Sequence, residues 1–168
     1  MTIRDAQEGD LPAIVAIYNS TIPGRMVTAD LEPVSVASRA PWLAAHDPAH
    51  RPVWVAETAG RVTAWLSFDL FFPRAAYDGT ALIALYVDES QRGRGLGRGL
   101  LAHACAQAPR LGLHTLLGYI FAHNEPSLRF FTRAGFERWG HLPRIARLDG
   151  QERDLVIVGR RLPPPTQP

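Results

Sequence analysis

The chain has 168 residues, 46% of them hydrophobic and 20% charged, with a formal net charge of +2. This length and composition describe one globular domain with its own core and exclude a disordered chain. The charge is too small to imply a nucleic-acid partner, and no apolar run is long enough to span a bilayer.

The opening Met1-Thr2-Ile3-Arg4-Asp5 does not read as a signal peptide, and a lone cysteine, Cys105, suits a reducing compartment. A cytoplasmic protein is expected. Residues 2–4 read as a short strand. Asp10 is placed to cap a helix whose apolar face carries Leu11, Ile14, Val15 and Tyr18. Ser35 is placed to cap a second helix, which Pro41 is expected to kink or break. Residues 53–57 and 61–70 read as a hairpin around Ala59-Gly60. Residues 80–87 form a third long strand, which runs into a loop rich in glycine and arginine. Residues 96–108 are helical, with Leu96, Leu100, Leu101 and Ala104 on one stripe. Residues 114–121 form another strand. Asn124 caps a helix that has Pro126 in its first turn and Gly135 just past its end. Residues 136–147 and 152–161 read as a hairpin around Asp149-Gly150. The order β-α-α-β-β-β-α-β-α-β-β predicts a three-layer α/β fold, a mixed sheet with helices on both faces. One domain is expected over 1–162, with the proline-rich 163–168 as a disordered tail.

The segment Arg92-Gly93-Arg94-Gly95-Leu96-Gly97-Arg98 carries the most chemistry. Glycines let backbone approach a ligand, and amides at the start of a helix point at an anion. Three arginines add full charges, so a phosphate or pyrophosphate is the natural guest. A P-loop needs Gly-Lys-Ser/Thr, whereas Gly97 is followed by Arg98-Gly99. A dinucleotide fingerprint needs a differently placed third glycine, early in a βαβ unit. The spacing that fits is Arg92-x-x-Gly95-x-Gly97.

That motif resembles the pyrophosphate loop of the GNAT superfamily of acyl-coenzyme-A-dependent N-acetyltransferases. Further pieces resemble its phosphinothricin acetyltransferase branch. These are Ile17-Tyr18-Asn19, Thr28-Ala29-Asp30-Leu31-Glu32-Pro33, Ala76-Tyr77, Asn124-Glu125-Pro126-Ser127-Leu128-Arg129 and Gly135-Phe136. The resemblance implies a mostly antiparallel sheet of about seven strands and acetyl-CoA as cosubstrate. It implies a small, amino-acid-like amine as acceptor, and together with the long final hairpin it suggests a homodimer; the low charge and the few aromatics near the loop argue against nucleic acid, and no metal is expected. The resemblance also implies that Gly93, Gly95, Leu96 and Gly97, with Arg92, Arg94 and Arg98, hold the pyrophosphate. Backbone of Leu85, Tyr86 and Val87 would meet the pantetheine arm and the acetyl group, with Asn124 and Ser127 beside the arm. Tyr18, Asn19 and Tyr77 would line the acceptor pocket.

Two positions depart from the branch. Where it places a strand glutamate as base, this chain has Leu82; where it places a helix acid, this chain has Phe131. Tyr86, Tyr77 or His123 could relay the protons instead, and Tyr86 and His123 are the catalytic candidates. The rival reading is a catalytically weakened acyl-CoA-binding or sensing module. Asp69 and Asp78 read as solvated turn residues. His46 and His50 have helical metal spacing, but Pro48 lies between them and no third ligand is evident. Trp54, Trp65 and Trp139 read as core or interface aromatics, and Cys105 as inert core.

Overall fold

The computed structural model describes residues 1–164; residues 165–168 of the expected 163–168 tail lie outside them. Seven strands form one sheet: β1 (Thr2–Asp5), β2 (Val53–Thr58), β3 (Arg61–Leu70), β4 (Thr80–Val87), β5 (Thr115–Phe121), β6 (Glu137–Leu148) and β7 (Gln151–Arg161). Their spatial order is β1-β2-β3-β4-β5-β7-β6. β4 and β5 run parallel, and the other neighbours are antiparallel. Four α-helices flank the sheet: α1 (Leu11–Thr21), α2 (Val36–Ala44), α3 (Leu96–Gln107) and α4 (Glu125–Arg133). The three-layer expectation holds.

Strand alternation divides the core. Ala64, Leu66 and Phe68 of β3 face α3 and α4, in a cluster with Leu100, Leu101, Leu116 and Phe136. Trp65 of the same strand faces α1 and α2, with Ile14, Ile17 and Val55. Burying each such side chain contributes roughly 1.5–3 kcal/mol, so both helical layers are pinned to β3 and β4. The turns follow their residues: Ala59-Gly60 and Asp149-Gly150 both have positive φ at each position, as two-residue hairpins require.

Three local expectations change. Asp10 does not cap α1 with its side chain, because its carboxylate binds the Arg4 guanidinium at 2.7 and 2.9 Å and accepts from the Gln7 amide at 2.8 Å. Pro41 does not break α2. Ser35 and Ser38 close a capping box, and the hydrogen bond that proline forfeits would serve the carbonyl of exposed Ala37, which water can satisfy. Trp139 is not core, which leaves the interface alternative: its ring lies over Gly159, where a Cβ would collide with it, and 44% of the residue stays exposed. Trp54 and Trp65 are core, and burial pushes the Cys105 thiol up, away from reactivity.

Candidate active site

β4 and β5 pair only from Thr80–Leu82 against Thr115–Leu117. Beyond Leu82, β4 keeps β3 on one side, while β5 stays paired with β7 to its end. The two strands therefore part, leaving the edge of β4 from Ile83 to Val87 without a strand partner on that side. The opening is a cavity of about 460 Å³ lined by Leu82, Ala84, Leu85 and Tyr86, by Gly118 and Phe121, and by Asn124, Ser127 and Phe131 of the α4 segment.

The glycine-arginine loop follows Val87 directly. Asp88 accepts from the amide and hydroxyl of Ser90, which turns the chain away from the strand. Gly95 sits at φ +80° ahead of α3, a conformation that disfavours any residue with a Cβ. The first bond of α3 runs from the Gly99 amide to the Gly95 carbonyl at 2.9 Å. The amides of Leu96, Gly97 and Arg98 therefore have no acceptor within the helix, and the helix dipole adds positive potential there. A Cβ at Gly97 would lie 3.3 Å from Val87 Cγ2, so this residue must be small for α3 to seat against β4. Arg92, Arg94 and Arg98 are exposed around the turn.

The opposite wall is set by the β3–β4 register, which pairs Trp65 with Tyr86, Ser67 with Ala84, and Asp69 with Leu82. Tyr86 stacks on Trp65 with centroids 4.5 Å apart and meets Tyr18 at 5.1 Å. Burial pushes its phenol far above the ordinary tyrosine range, so at neutral pH it holds its proton and can only donate. Leu82 and buried Phe131 leave that part of the lining apolar, as the sequence expected.

Asp69 is the main correction. It is no solvated turn residue: it lies within β3, lines the cavity, and its side chain is only 33% exposed. Its carboxylate accepts from Trp42 Nε1 at 3.2 Å, from the Ser67 hydroxyl, and from His46 Nε2 at 3.3 Å. His46 Nδ1 donates to the Trp42 carbonyl at 2.8 Å. Burial opposes charge on both groups, but these contacts outweigh it. Asp69 titrates below the usual carboxylate range and His46 above the usual histidine value. The period-2 pattern carried the signal, because Asp69 alternates with buried Trp65 and Ser67 on one face. Asp78 is exposed, as expected.

Several expected site residues brace a cover segment, residues 22–35, rather than lining the cavity. Val27, Thr28 and Ala29 of that segment do line it. Tyr18 bonds Thr28 and Asp30 through its hydroxyl, under the Arg39 guanidinium 4.6 Å from its ring centre. Asn19 exchanges two 2.9 Å bonds with the backbone of Val34. His123 Nε2 donates to the Arg25 carbonyl, and Asn124 Nδ2 to the Met26 carbonyl, each at 2.9 Å. Arg25 also pairs with Asp149 at 2.7 Å. Asn124 and Ser127 line the cavity, whereas His123 is not among its lining residues. Asn124 also caps α4 by accepting from the Ser127 amide. Tyr77 sits outside, 42% exposed, with Phe71 and Phe72. Among the described residues no group of three or more metal-ligating side chains converges.

A parted strand pair, a phosphate-type loop at its open end and a walled pocket between them define an acyl-coenzyme-A-dependent transferase. The free β4 edge and the unpartnered α3 amides fit a pantetheine arm and a diphosphate. Comparison with known proteins agrees. Residues 14–136 match the model of the Acetyltransferase (GNAT) family, and the chain belongs to that family. It is 50% identical over 163 residues to YwnH of Bacillus subtilis (strain 168), named provisionally as a phosphinothricin acetyltransferase, covering 96% of this chain and 99% of that one. It is 34% identical to the L-methionine sulfoximine/L-methionine sulfone acetyltransferase of Pseudomonas paraeruginosa, covering 97% and 95% of the two chains. The solved structure of YncA from Salmonella typhimurium with its cofactor acetyl-CoA superimposes with a TM-score of 0.90 at 30% identity, covering 100% of this chain and 97% of that one. The protein is an acetyl-CoA-dependent N-acetyltransferase, and a binding-only module is not favoured.

Proposed function

We propose that the chain acetylates the amine of a small amino-acid-like acceptor of the phosphinothricin or methionine sulfoximine type. The observation that carries this reading is the parting of β4 from β5 into an open-mouthed cavity of about 460 Å³, a volume that suits a small molecule. Acetyl-CoA supplies an activated acyl group as a thioester. The amides of Leu96 to Arg98, with Gly93, Gly95 and Gly97 and the Arg92, Arg94 and Arg98 guanidiniums, hold its diphosphate. Charged hydrogen bonds of this kind contribute about 1.5–3 kcal/mol each. The β4 edge at Leu85, Tyr86 and Val87 pairs with the arm, and an amide near Val87 polarises the carbonyl. Asn124 and Ser127 flank the arm.

Tyr86, held protonated, serves as a hydrogen-bond donor to the departing sulfur, which takes its proton from water. His123, committed through Nε2 to the Arg25 carbonyl, positions the cover segment instead. Tyr18 and Asn19 shape the acceptor pocket through that segment.

We also propose a cytoplasmic homodimer. Supply of acetyl-CoA supports the compartment. Exposed Trp139, Leu142 and Ile145 on edge strand β6 support self-association. Light scattering of the Ile145→Glu variant is expected to show monomer where the parent shows dimer.

Thiol release from acetyl-CoA, screened over phosphinothricin, methionine sulfoximine, free amino acids and lysine peptides, tests the acceptor. Turnover with the first two and none with peptides is expected. Peptide turnover alone overturns the assignment.

A further inference from the structure

The reaction must remove a proton from the attacking nitrogen, and the position that the branch reserves for that task is Leu82. Nothing on β4 replaces it, since Ala84 is inert and Tyr86 holds its own proton. The neighbouring strand does supply a carboxylate. The antiparallel register sets Asp69 directly opposite Leu82, so the two side chains leave the sheet on the same face and line the same cavity. The carboxylate is fixed on one side by Trp42 and His46, which both reach Oδ1, while Oδ2 takes the Ser67 hydroxyl and keeps a free lone pair. His46 is held behind it, with 9% of its side chain exposed and its second nitrogen on the Trp42 carbonyl.

We propose that Asp69 is the catalytic proton acceptor for the acceptor amine, standing one strand over from the usual position, and that His46 is the positioning residue that fixes its carboxylate. The inference rests on the amine-acceptor reading above. In the step it assigns, the nitrogen lone pair forms the N–C bond and the C–S bond breaks. One proton passes from nitrogen to Asp69, while the departing sulfur, hydrogen-bonded by Tyr86, takes one from water. Asp69 then gives its proton to water. A weakly basic carboxylate suffices, because the nitrogen becomes strongly acidic once its lone pair is committed to carbon. The ionisable groups facing Asp69 are His46 from the segment after α2 and Tyr86 from β4, with the Arg39–Asp30 pair and Tyr18 further off.

The test uses the full chain with the best acceptor from the screen. Asp69→Asn keeps the shape and is expected to lower kcat about 100-fold, the usual contribution of a positioned base, with acetyl-CoA affinity unchanged. Adding Leu82→Glu to Asp69→Asn is expected to restore most of kcat and to raise the acidic limb of the pH–rate profile. His46→Ala is expected to lower kcat with less effect on KM, and His46→Gln, which keeps an N–H donor, to recover part of it. Parental kcat in Asp69→Asn overturns the inference while leaving the acceptor assignment intact. Absence of turnover in the parent with every amine overturns both. Should Asp69→Asn fail to fold, Leu82→Glu alone decides. It sets a second carboxylate beside Asp69, so the acidic limb must move upward, and an unmoved limb overturns the proposal.

Discussion

The two walls of the cavity are built from different material. The wall proposed to hold the coenzyme is main chain: the edge of β4, the turn at Gly93 to Gly95 and the first amides of α3. The wall proposed to face the acceptor is side chain: Asp69 with its three donors, Tyr86 on Trp65, and a cover segment tied down by Tyr18, Asn19, His123 and Asn124. A main-chain site depends on where glycines fall and tolerates changes elsewhere. A side-chain site depends on register and can be rebuilt one strand away, as the Leu82 and Asp69 pair illustrates. Divergence among relatives should concentrate on the second wall.

The largest expected effect tests the main-chain wall. Gly95 and Gly60 both sit at positive φ, at +80° and +73°, so replacing either carries similar backbone strain. They differ in what they face. Gly95→Asp sets a negative charge where the diphosphate is expected and is predicted to weaken acetyl-CoA binding by at least about 30-fold, equivalent to losing about 2 kcal/mol of charged hydrogen bonding. Gly60→Asp is predicted to lower Tm and leave that affinity unchanged. Titration calorimetry on the two variants decides, and equal losses would move the coenzyme away from this turn.

A smaller effect probes the seam between the walls. Asn124 serves both: Oδ1 caps α4, and Nδ2 tethers the cover segment through Met26. Asn124→Ala is predicted to cost about 1 kcal/mol from the cap, and more from the stranded Met26 carbonyl. Asn124→Asp keeps the cap but sets a carboxylate oxygen against the Met26 carbonyl, so it loses the tether, lowers Tm and should show a raised acceptor KM. An unchanged KM in Asn124→Asp would mean that the tether does not shape the pocket.

The same division explains what could be read from the sequence. The element order, both hairpin turns, the Asn124 cap and the glycine loop are local signals, and the structure follows them closely. The parting of β4 from β5 has no local signal, because where a parallel pair stops is a tertiary fact. Asp69 was misread because a polar residue near a strand end looks like a turn until the partner strand fixes which face it uses. Asp10 was misread because two nearby partners, Arg4 and the Gln7 amide, took the carboxylate from the cap. His123 stands where the resemblance put it in the chain. Only the cover segment, packed from residues about a hundred positions earlier, shows what its Nε2 binds.

The smallest predicted effect separates the walls by charge alone. His46 titrates above its ordinary value of about 6.5 in the folded protein, because Asp69 and the Trp42 carbonyl outweigh its burial. Its stabilisation is therefore complete below that ordinary value and is lost as pH rises through the folded one. Asp69 titrates below its ordinary value of about 3.9, so its share is complete above that value and is lost as pH falls through the folded one. Together they define a window of full stabilisation from about pH 4 to 6.5. Melting temperature should be higher at pH 6 than at pH 8.5, and His46→Gln should flatten that slope because glutamine donates without titrating. Gly95→Asp should keep the slope, since the coenzyme wall contributes nothing to it. If His46→Gln melts with the parental slope, the Asp69–His46 pair is not ionic, and the acceptor wall is held by its neutral hydrogen bonds alone.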